Sequence, residues 1–398
     1  MQWLNLEAHV PGVMTLYSHR PYANFAQPNN MSTFLIMGLL ACLYLAETQA
    51  MKLRYLWPVA ALIIFAITLS QSRTAWVFGL FFLVYWAYKS WRYPTRINRG
   101  WIMLWGVGFF AVGLAFPRLT RWIQSLNQTD VVKTSSIMQR ASAGHERIGI
   151  WEQMLHAIQQ QPWTGYGWNQ TSLAELSSMP FNKIHVWFNS SHNVVLDILV
   201  WNGVVLGGLI LVYFTLWMIW LNYHSKRIES IAASLMVAAV LIHALLEYPL
   251  QYAYFLLPVG FLMGLIQAQT PDQKWYALPR GITRVVWLAG FILLALIWRD
   301  YSLYKLNSVR IIKKQPPNVE IWGSAKILVL TEFDQRLDWL KLSPVAQLSL
   351  QQLNQIEKMV YNKATPYNMQ KYAQLLLANG QVDKAREQVG YLSRLKKK

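Results

Sequence analysis

Apolar residues gather along the chain in eight runs, roughly 31–47, 53–70, 74–90, 101–116, 194–221, 231–247, 252–269 and 284–299. A helix rises 1.5 Å per residue and needs about 20 apolar residues to cross a bilayer. Each run therefore predicts a membrane helix, and together they predict an all-α, polytopic bundle of about eight spans over 31–299. The stretch 56–88 is too long for one crossing, and Gln71-Ser72-Arg73 divides it into a tight hairpin. Two polar stretches stand out. Residues 1–30, with Pro11, Gly12, Pro21, Pro28, Asn29 and Asn30, read as a loop leading into the first run. Residues 117–192 form a long arginine-bearing loop that returns at Ser190-Ser191-His192-Asn193, directly against the apolar Val194 run. Such a loop on a rigid scaffold is where function is expected.

Composition agrees with membrane burial: 54% of residues are hydrophobic and 14% charged, against roughly 25% charged in soluble domains. Trp and Tyr number 20 each, rings that favour the hydrocarbon–headgroup boundary. The net charge of +18 has a better explanation than nucleic-acid binding, because its short-loop part is one-sided. Lys52 and Arg54, then Lys89, Arg92, Arg96 and Arg99, then Lys226 and Arg227, then Lys274, Arg280 and Arg284 fall on one set of connections. The opposite set carries only Arg73, apart from the long loop. The positive-inside bias makes the first set cytoplasmic and turns residues 1–30, loop 117–192 and the C-terminal region outward. An outward N-terminal loop with no signal-like segment predicts that spans which normally precede it are missing. Cys42 lies in an apolar run and supports neither a disulfide nor a cysteine metal site.

From residue 300 onward basic residues outnumber acidic ones two to one, and apolar positions follow a helical period. Residues 366–386 read as helix, Asn379-Gly380 turn, helix, with Tyr372-Ala373, Gly380 and Ala385 spaced like one tetratricopeptide hairpin. A single hairpin cannot bury its own face and must pack on the preceding helices. It serves either as a helical cap or as a docking surface.

Candidate chemistry clusters on the outward face. Arg73 in its hairpin is either a snorkelling anchor or an anion contact, since guanidinium matches phosphate bidentately. In the long loop, Arg140-Ala-Ser-Ala-Gly-His-Glu-Arg147 precedes a helix face formed by Ile148, Trp151, Leu155 and Ile158. Arg147 at the positive end of that helix favours an anion. Pro162 ends the helix and Gly165-Tyr-Gly167 is a tight turn, without the strand and third glycine of a dinucleotide site. His192 is either a helix-entry residue beside a capping Asn193 or Ser191, or a base, because a neutral imidazole takes a proton from a hydroxyl at neutral pH. Glu247 and Tyr248 lie at the outer end of another span, after His243, as interfacial or functional groups. No metal-ligand spacing links these histidines.

Four segments resemble the O-antigen ligase-related (Wzy_C) superfamily and, within it, the PglL-type protein O-oligosaccharyltransferases. They are Arg20-Pro-Tyr-Ala-Asn-Phe-Ala-Gln-Pro-Asn29; Ser72-Arg73-Thr74; Ser191-His192-Asn193 with Trp201-Asn-Gly203 and Gly207; and His243-Ala-Leu-Leu-Glu-Tyr-Pro-Leu-Gln-Tyr-Ala-Tyr254. Ala23 stands where the pattern usually has Gly. The resemblance implies a metal- and cofactor-independent glycosyltransferase of the bacterial inner membrane with a periplasmic catalytic face. It would move a preassembled glycan from undecaprenyl pyrophosphate to Ser or Thr of an exported protein such as pilin. By motif, His192 matches the catalytic histidine, Arg73 and Arg147 the arginines that hold pyrophosphate, and Gln27 and Tyr248 polar site positions. Glu247 and Arg140 complete the expected substrate-binding set. Transfer to lipid A–core sugar, or Wzy-type polymerisation, would use the same donor and similar residues. A transporter would place charges at mid-span, where these runs have almost none.

Overall fold

The structure, a computed structural model, describes the chain except residues 1, 5–6, 17–19, 26, 98, 128–144, 182–184, 271–278, 314–325 and 396–398. Every regular element among the described residues is helical, and each of the eight apolar runs falls on a helix. Four helices are long and apolar enough to cross a bilayer: α1 (Pro28–Glu47), α2 (Leu53–Ser70), α7 (Val194–His224) and α10 (Arg280–Ile312). The apolar helices α8 (Ile228–Ala244) and α9 (Ala253–Ala268) are shorter, as is Ile102–Ala115 within α4 (Arg99–Asn127). With α3 (Arg73–Arg92) they describe a multi-pass membrane protein. Helix α4 continues to Asn127, well past the apolar run that ends near 116. The chain divides into two compact units, residues 1–171 with 190–273 and residues 172–189 with 274–398.

In the first unit, α8 is the central post. It is apolar all round, as a fully enclosed helix is, and its small residues Ala232, Ala233, Ser234 and Ala239 are buried. Small side chains let helix backbones approach closely where lipid removes the hydrophobic drive between helices. One side of α8 packs Leu235 and Ala239 with Ile36 and Leu40 of α1, Ile67 of α2, and Phe78 and Trp86 of α3. The other packs Val237 and Val240 with Leu221 of α7 and Phe255, Val259 and Met263 of α9. Leu209, Tyr213 and Leu216 of α7 remain exposed, as lipid-facing positions do. The α2–α3 hairpin turns at Gln71, in the left-handed region at φ 47°, and Ser70 Oγ accepts from Ser72 N at 3.3 Å.

Helix α7 is not one continuous rod. Gly203 has φ 72° and ψ 175°, so the helix breaks there into residues 194–202 and 204–224. The later part alone rises about 30 Å, the thickness of a hydrocarbon core. The earlier part is a separate arm, held by the loop that follows α5 (His145–Gln160). Tyr166 N donates to Val200 O at 2.9 Å, Gly167 N to Trp201 O at 3.0 Å, and Val204 N to Pro162 O at 2.7 Å. The break therefore leaves its backbone groups satisfied, as an apolar environment demands. Two glycines make the interlock sterically feasible. A Cβ on Gly203 would lie 2.4 Å from Trp163 O, and one on Gly165 would lie 2.6 Å from Gly203 N.

The second unit contains α10, α11 (Glu332–Lys341), α12 (Leu350–Asn362), α13 (Pro366–Ala378), α14 (Val382–Leu395) and all but the first residue of α6 (Thr171–Ser177). The α13–α14 hairpin turns at Asn379 and Gly380 (φ 72°). Its face is buried with Trp339 of α11 and Leu353 and Val360 of α12 around Tyr372, Leu375 and Ala385. Asp300 of α10 anchors the approach to α11, accepting from Leu328, Val329 and Leu330 N. A piece of the long loop belongs to this unit as well. Leu176 and Met179 pack with Ala364, Met369 and Leu392, and Ala364 N donates to Ser172 Oγ at 3.1 Å.

Candidate active site

Glu247 is the meeting point. It follows α8 in a tight turn, Glu247 N donating to His243 O at 2.9 Å, and its side chain is buried. Oε1 accepts from Asn29 Nδ2 at 3.1 Å and is ion-paired with Arg147. Oε2 meets His192 Nδ1 at 2.6 Å. Asn29 in turn accepts from Ser72 Oγ at 2.9 Å, tying the α1 start to the hairpin that carries Arg73. Burial alone would push the Glu247 carboxyl up. The hydrogen bond from His192 and the Arg147 charge outweigh it and hold the group below the usual glutamate range. An ionised carboxylate only accepts, so His192 Nδ1 carries the proton and donates. Nε2 is then the ring nitrogen that does not face Glu247.

The His192 backbone is held in a left-handed conformation, φ 56°, a state that costs a non-glycine residue about 1–2 kcal/mol. A buried network maintains it. Asp197, one turn into the α7 arm, accepts from Ser190 Oγ and Ser191 N, each at 2.9 Å, and from Thr171 Oγ1 at 3.1 Å. Trp151 Nε1 of α5 donates to Ser191 O at 3.0 Å. Helix entry is managed by Asn193, whose Oδ1 accepts from Val195 N at 2.9 Å. Capping thus falls to the neighbouring residue, and the imidazole is free to serve another purpose.

Gln27 Nε2 donates to Tyr248 OH at 2.7 Å, and the Tyr248 ring meets His192 edge-on with centroids 5.0 Å apart. Burial, with Tyr252 and the Glu247 charge, pushes the Tyr248 phenol up to about 12. It is a hydrogen-bond donor rather than a base at neutral pH. Asn30 Nδ2 donates to Tyr254 OH at 2.9 Å, fixing the same wall. His243, one turn before Glu247, is bonded through Nδ1 to Thr33 Oγ1 at 3.0 Å.

The structure therefore brings His192, Arg147, Glu247, Gln27 and Tyr248 together, and Arg73 lies in the electrostatic field of Arg147 and Glu247. Glu247, expected to contact substrate, has its oxygens taken by Asn29, Arg147 and His192. Arg140 lies outside the described residues. Arg20, the first residue of the motif that leads into α1, joins the cluster, within the fields of Glu247, Arg73 and Arg147. Burial chiefly, and the two like charges, pull its guanidinium down, while Glu247 works the other way. Sequence reasoning also missed Asn29 and Asp197 as site residues. Asn29 stands in the same motif, but nothing in its spacing names Glu247 as its partner.

Known proteins match along the whole chain. Residues 58–212 match the family described as O-antigen ligase. Residues 231–394 match that described as virulence factor membrane-bound polymerase, C-terminal, and residues 21–46 that described as protein glycosylation ligase. The general O-oligosaccharyltransferase of Acinetobacter baylyi is 73% identical over 398 residues, all of this chain and 70% of that relative. The ComP-specific O-oligosaccharyltransferase of the same species is 33% identical over 257 residues, 64% of this chain and 45% of that relative. No solved structure matches. The residues around Glu247 draw on all three matched regions: Gln27 and Asn29 on 21–46, Arg73, Arg147 and His192 on 58–212, Glu247 and Tyr248 on 231–394.

Proposed function

Because the chain belongs to the O-antigen ligase family, in its PglL-type O-oligosaccharyltransferase branch, we propose that it transfers a preassembled oligosaccharide from undecaprenyl pyrophosphate to Ser or Thr hydroxyls of exported proteins such as pilin. The observation that carries this reading is the His192–Glu247 pair, 2.6 Å apart, which leaves Nε2 as a base. Nε2 takes the acceptor hydroxyl proton. The hydroxyl oxygen attacks the anomeric carbon with inversion, and the bond from that carbon to the pyrophosphate oxygen breaks. Undecaprenyl pyrophosphate departs with the bonding pair, while Glu247 stabilises the imidazolium that forms. Arginines at the site stabilise charge on the leaving group, and preorganised charge of this kind usually contributes most to lowering such barriers. Arg73 and Arg147 do so here, with Arg147 also holding Glu247. Gln27 and Tyr248 line the sugar or acceptor side.

The protein sits in the bacterial inner membrane with about eight crossings. The basic short connections face the cytoplasm, and loop 117–192 and the tetratricopeptide-like helices face the periplasm. Both substrates fit that topology, since a lipid donor enters laterally and an exported acceptor arrives from outside.

The substrate class is tested in cells that make the lipid-linked donor but lack their own transferase. Expression of the full-length protein is expected to shift the intact mass of an exported acceptor by one whole oligosaccharide. A shift that appears only on lipid A–core, or longer glycans on the carrier lipid, would replace protein transfer with ligation or polymerisation.

A further inference from the structure

We propose that the end of the bundle away from His192 binds an anionic glycerophospholipid, with the lipid phosphate held between Arg92 and Lys226. A cavity of about 510 Å³ opens there, within the range of small-molecule sites. Its lining comes from Trp91 and Arg92 at the end of α3, Tyr93 just after it, and Tyr223 and Lys226 around the end of α7. Both helices start at the candidate active site. Ser72, which bonds Asn29, precedes α3, and His192 lies two residues before the start of α7. The 20 residues of α3 rise about 30 Å, so the cavity is a helix length from that site and separate from it.

Its walls are fixed by hydrogen bonds. Lys89, buried one turn before Tyr93, donates through Nζ to Asn222 O and Ser225 O, each at 2.8 Å, and lies 5.6 Å from the Tyr93 ring centroid. Tyr85 OH donates to Asn222 Oδ1 at 2.8 Å. These bonds join the end of α3 to the end of α7 and satisfy two carbonyls where α7 closes. A cation near a helix C-terminus is favourable in itself. With Lys89 already bonded to those carbonyls, however, Lys226 is not needed to cap α7, and capping explains neither the cavity nor its rings. Among the described residues no carboxylate lines the cavity. The carboxylates described at this end of the bundle are engaged elsewhere. Glu47 accepts from Arg96 N at 2.7 Å and Ile97 N at 3.0 Å, and Glu229 pairs with Arg227 at 3.9 Å. Two cations at the rim and a buried ammonium behind Tyr93 therefore favour an anion.

Two apolar stripes make that anion a lipid rather than a soluble ion. On α3, Leu80, Val84, Tyr88 and Trp91 are exposed at spacings of three and four, which is one helix face. On α7, Tyr213, Leu216, Ile219 and Tyr223 are exposed in the same way. Each stripe ends in a ring that lines the cavity, as aromatic side chains do where hydrocarbon meets headgroup. Acyl chains along the stripes would bring a headgroup phosphate to Arg92 and Lys226. In the orientation proposed above this end faces the cytoplasm, where the leaflet carries anionic lipid and basic pockets between membrane helices hold it.

The test uses the full-length protein in detergent micelles, titrated with phosphatidylglycerol or with phosphatidylethanolamine, and counts bound lipid by native mass spectrometry. Wild type is expected to hold one phosphatidylglycerol with a Kd about 10- to 30-fold below that for phosphatidylethanolamine, the range for two cations acting on an anionic headgroup. The double variant Arg92→Gln, Lys226→Gln is expected to bring the two Kd values within about threefold. Lys52→Gln with Arg54→Gln removes the same charge from the same end but outside the cavity, and is expected to keep the preference. A phosphatidylglycerol with a photoreactive group beside its phosphate is expected to mark peptides holding Trp91 or Tyr223 in the wild type, which decides the question if the first double variant does not fold. Four results would each overturn the assignment: no preference in the wild type, an equal loss in both double variants, labelling confined to other peptides, or displacement of the lipid by millimolar inorganic phosphate. None of them depends on glycosyl transfer.

Discussion

Replacing Glu247 by glutamine tests the division of labour in the site more sharply than truncating it. The carboxylate accepts from three donors, Asn29, Arg147 and His192. A glutamine has one acceptor oxygen and one NH2 group, and these must be shared between Arg147 and His192. Arginine can only donate, so the amide oxygen turns to Arg147 and Asn29. The NH2 then faces His192 Nδ1 and makes that nitrogen an acceptor. The ring proton moves to Nε2, where the acceptor hydroxyl would have to deliver its own. Losing general-base catalysis costs about 10²–10⁴-fold, and a wrong tautomer in the serine-protease triad costs about 10⁴-fold. Loss of the negative charge beside the imidazolium adds to the same step. Glu247→Gln should therefore lower kcat by about 10³-fold while leaving donor KM within a few-fold. The assay is the initial rate of glycoprotein formation by intact mass, at saturating donor. A variant that keeps kcat within threefold of wild type would strip Glu247 of any part in orienting the base.

Two further outcomes follow from the same geometry. The Glu247 carboxyl is held below its unfolded range, so its stabilising contribution is complete above that range and disappears as pH falls through the lower folded value. The melting-temperature gap between wild type and Glu247→Gln should stay constant from neutral pH to about 5 and close at more acid pH; a gap that widens on acidification would contradict the ionised assignment. Gly203→Ala combines a positive φ with a Cβ 2.4 Å from Trp163 O. It should release the α7 arm, lower the melting temperature and abolish transfer, whereas Gly208→Ala, with nothing within 4 Å, should leave both unchanged.

Much of the architecture was legible because membrane burial writes itself into composition. Apolar runs mark helices whatever they pack against, and each predicted run coincides with one. Counting crossings and basic loops put His192, Glu247, Tyr248, Arg73 and Arg147 on one face, and the structure groups them in one cluster. What escaped the sequence was conformation and pairing. Hydropathy is blind to φ, so the 194–221 run looked like one helix, and the tight turn at Gly165–Gly167 had no visible partner. The two are halves of one interlock, since Gly203 breaks the helix where that turn docks. Arg147 and Glu247 are 100 positions apart, and no local rule couples them. The packing of Leu176 and Met179 with the C-terminal helices is accompanied by a bond between Ser172 and Ala364 across a separation of 192. Asp197 carries no signal in the sequence because its partners, Ser190, Ser191 and Thr171, are ordinary polar residues.

Everything proposed for the reaction turns on His192 as the base of glycan transfer, and His192→Ala in the purified full-length protein probes that role without intermediaries. With a defined lipid-pyrophosphate oligosaccharide and an acceptor protein, the variant should retain donor binding. Its product should not rise above that of heat-inactivated enzyme over a time in which wild type completes many turnovers. Transfer by His192→Ala at a rate within tenfold of wild type would show that the proton goes elsewhere.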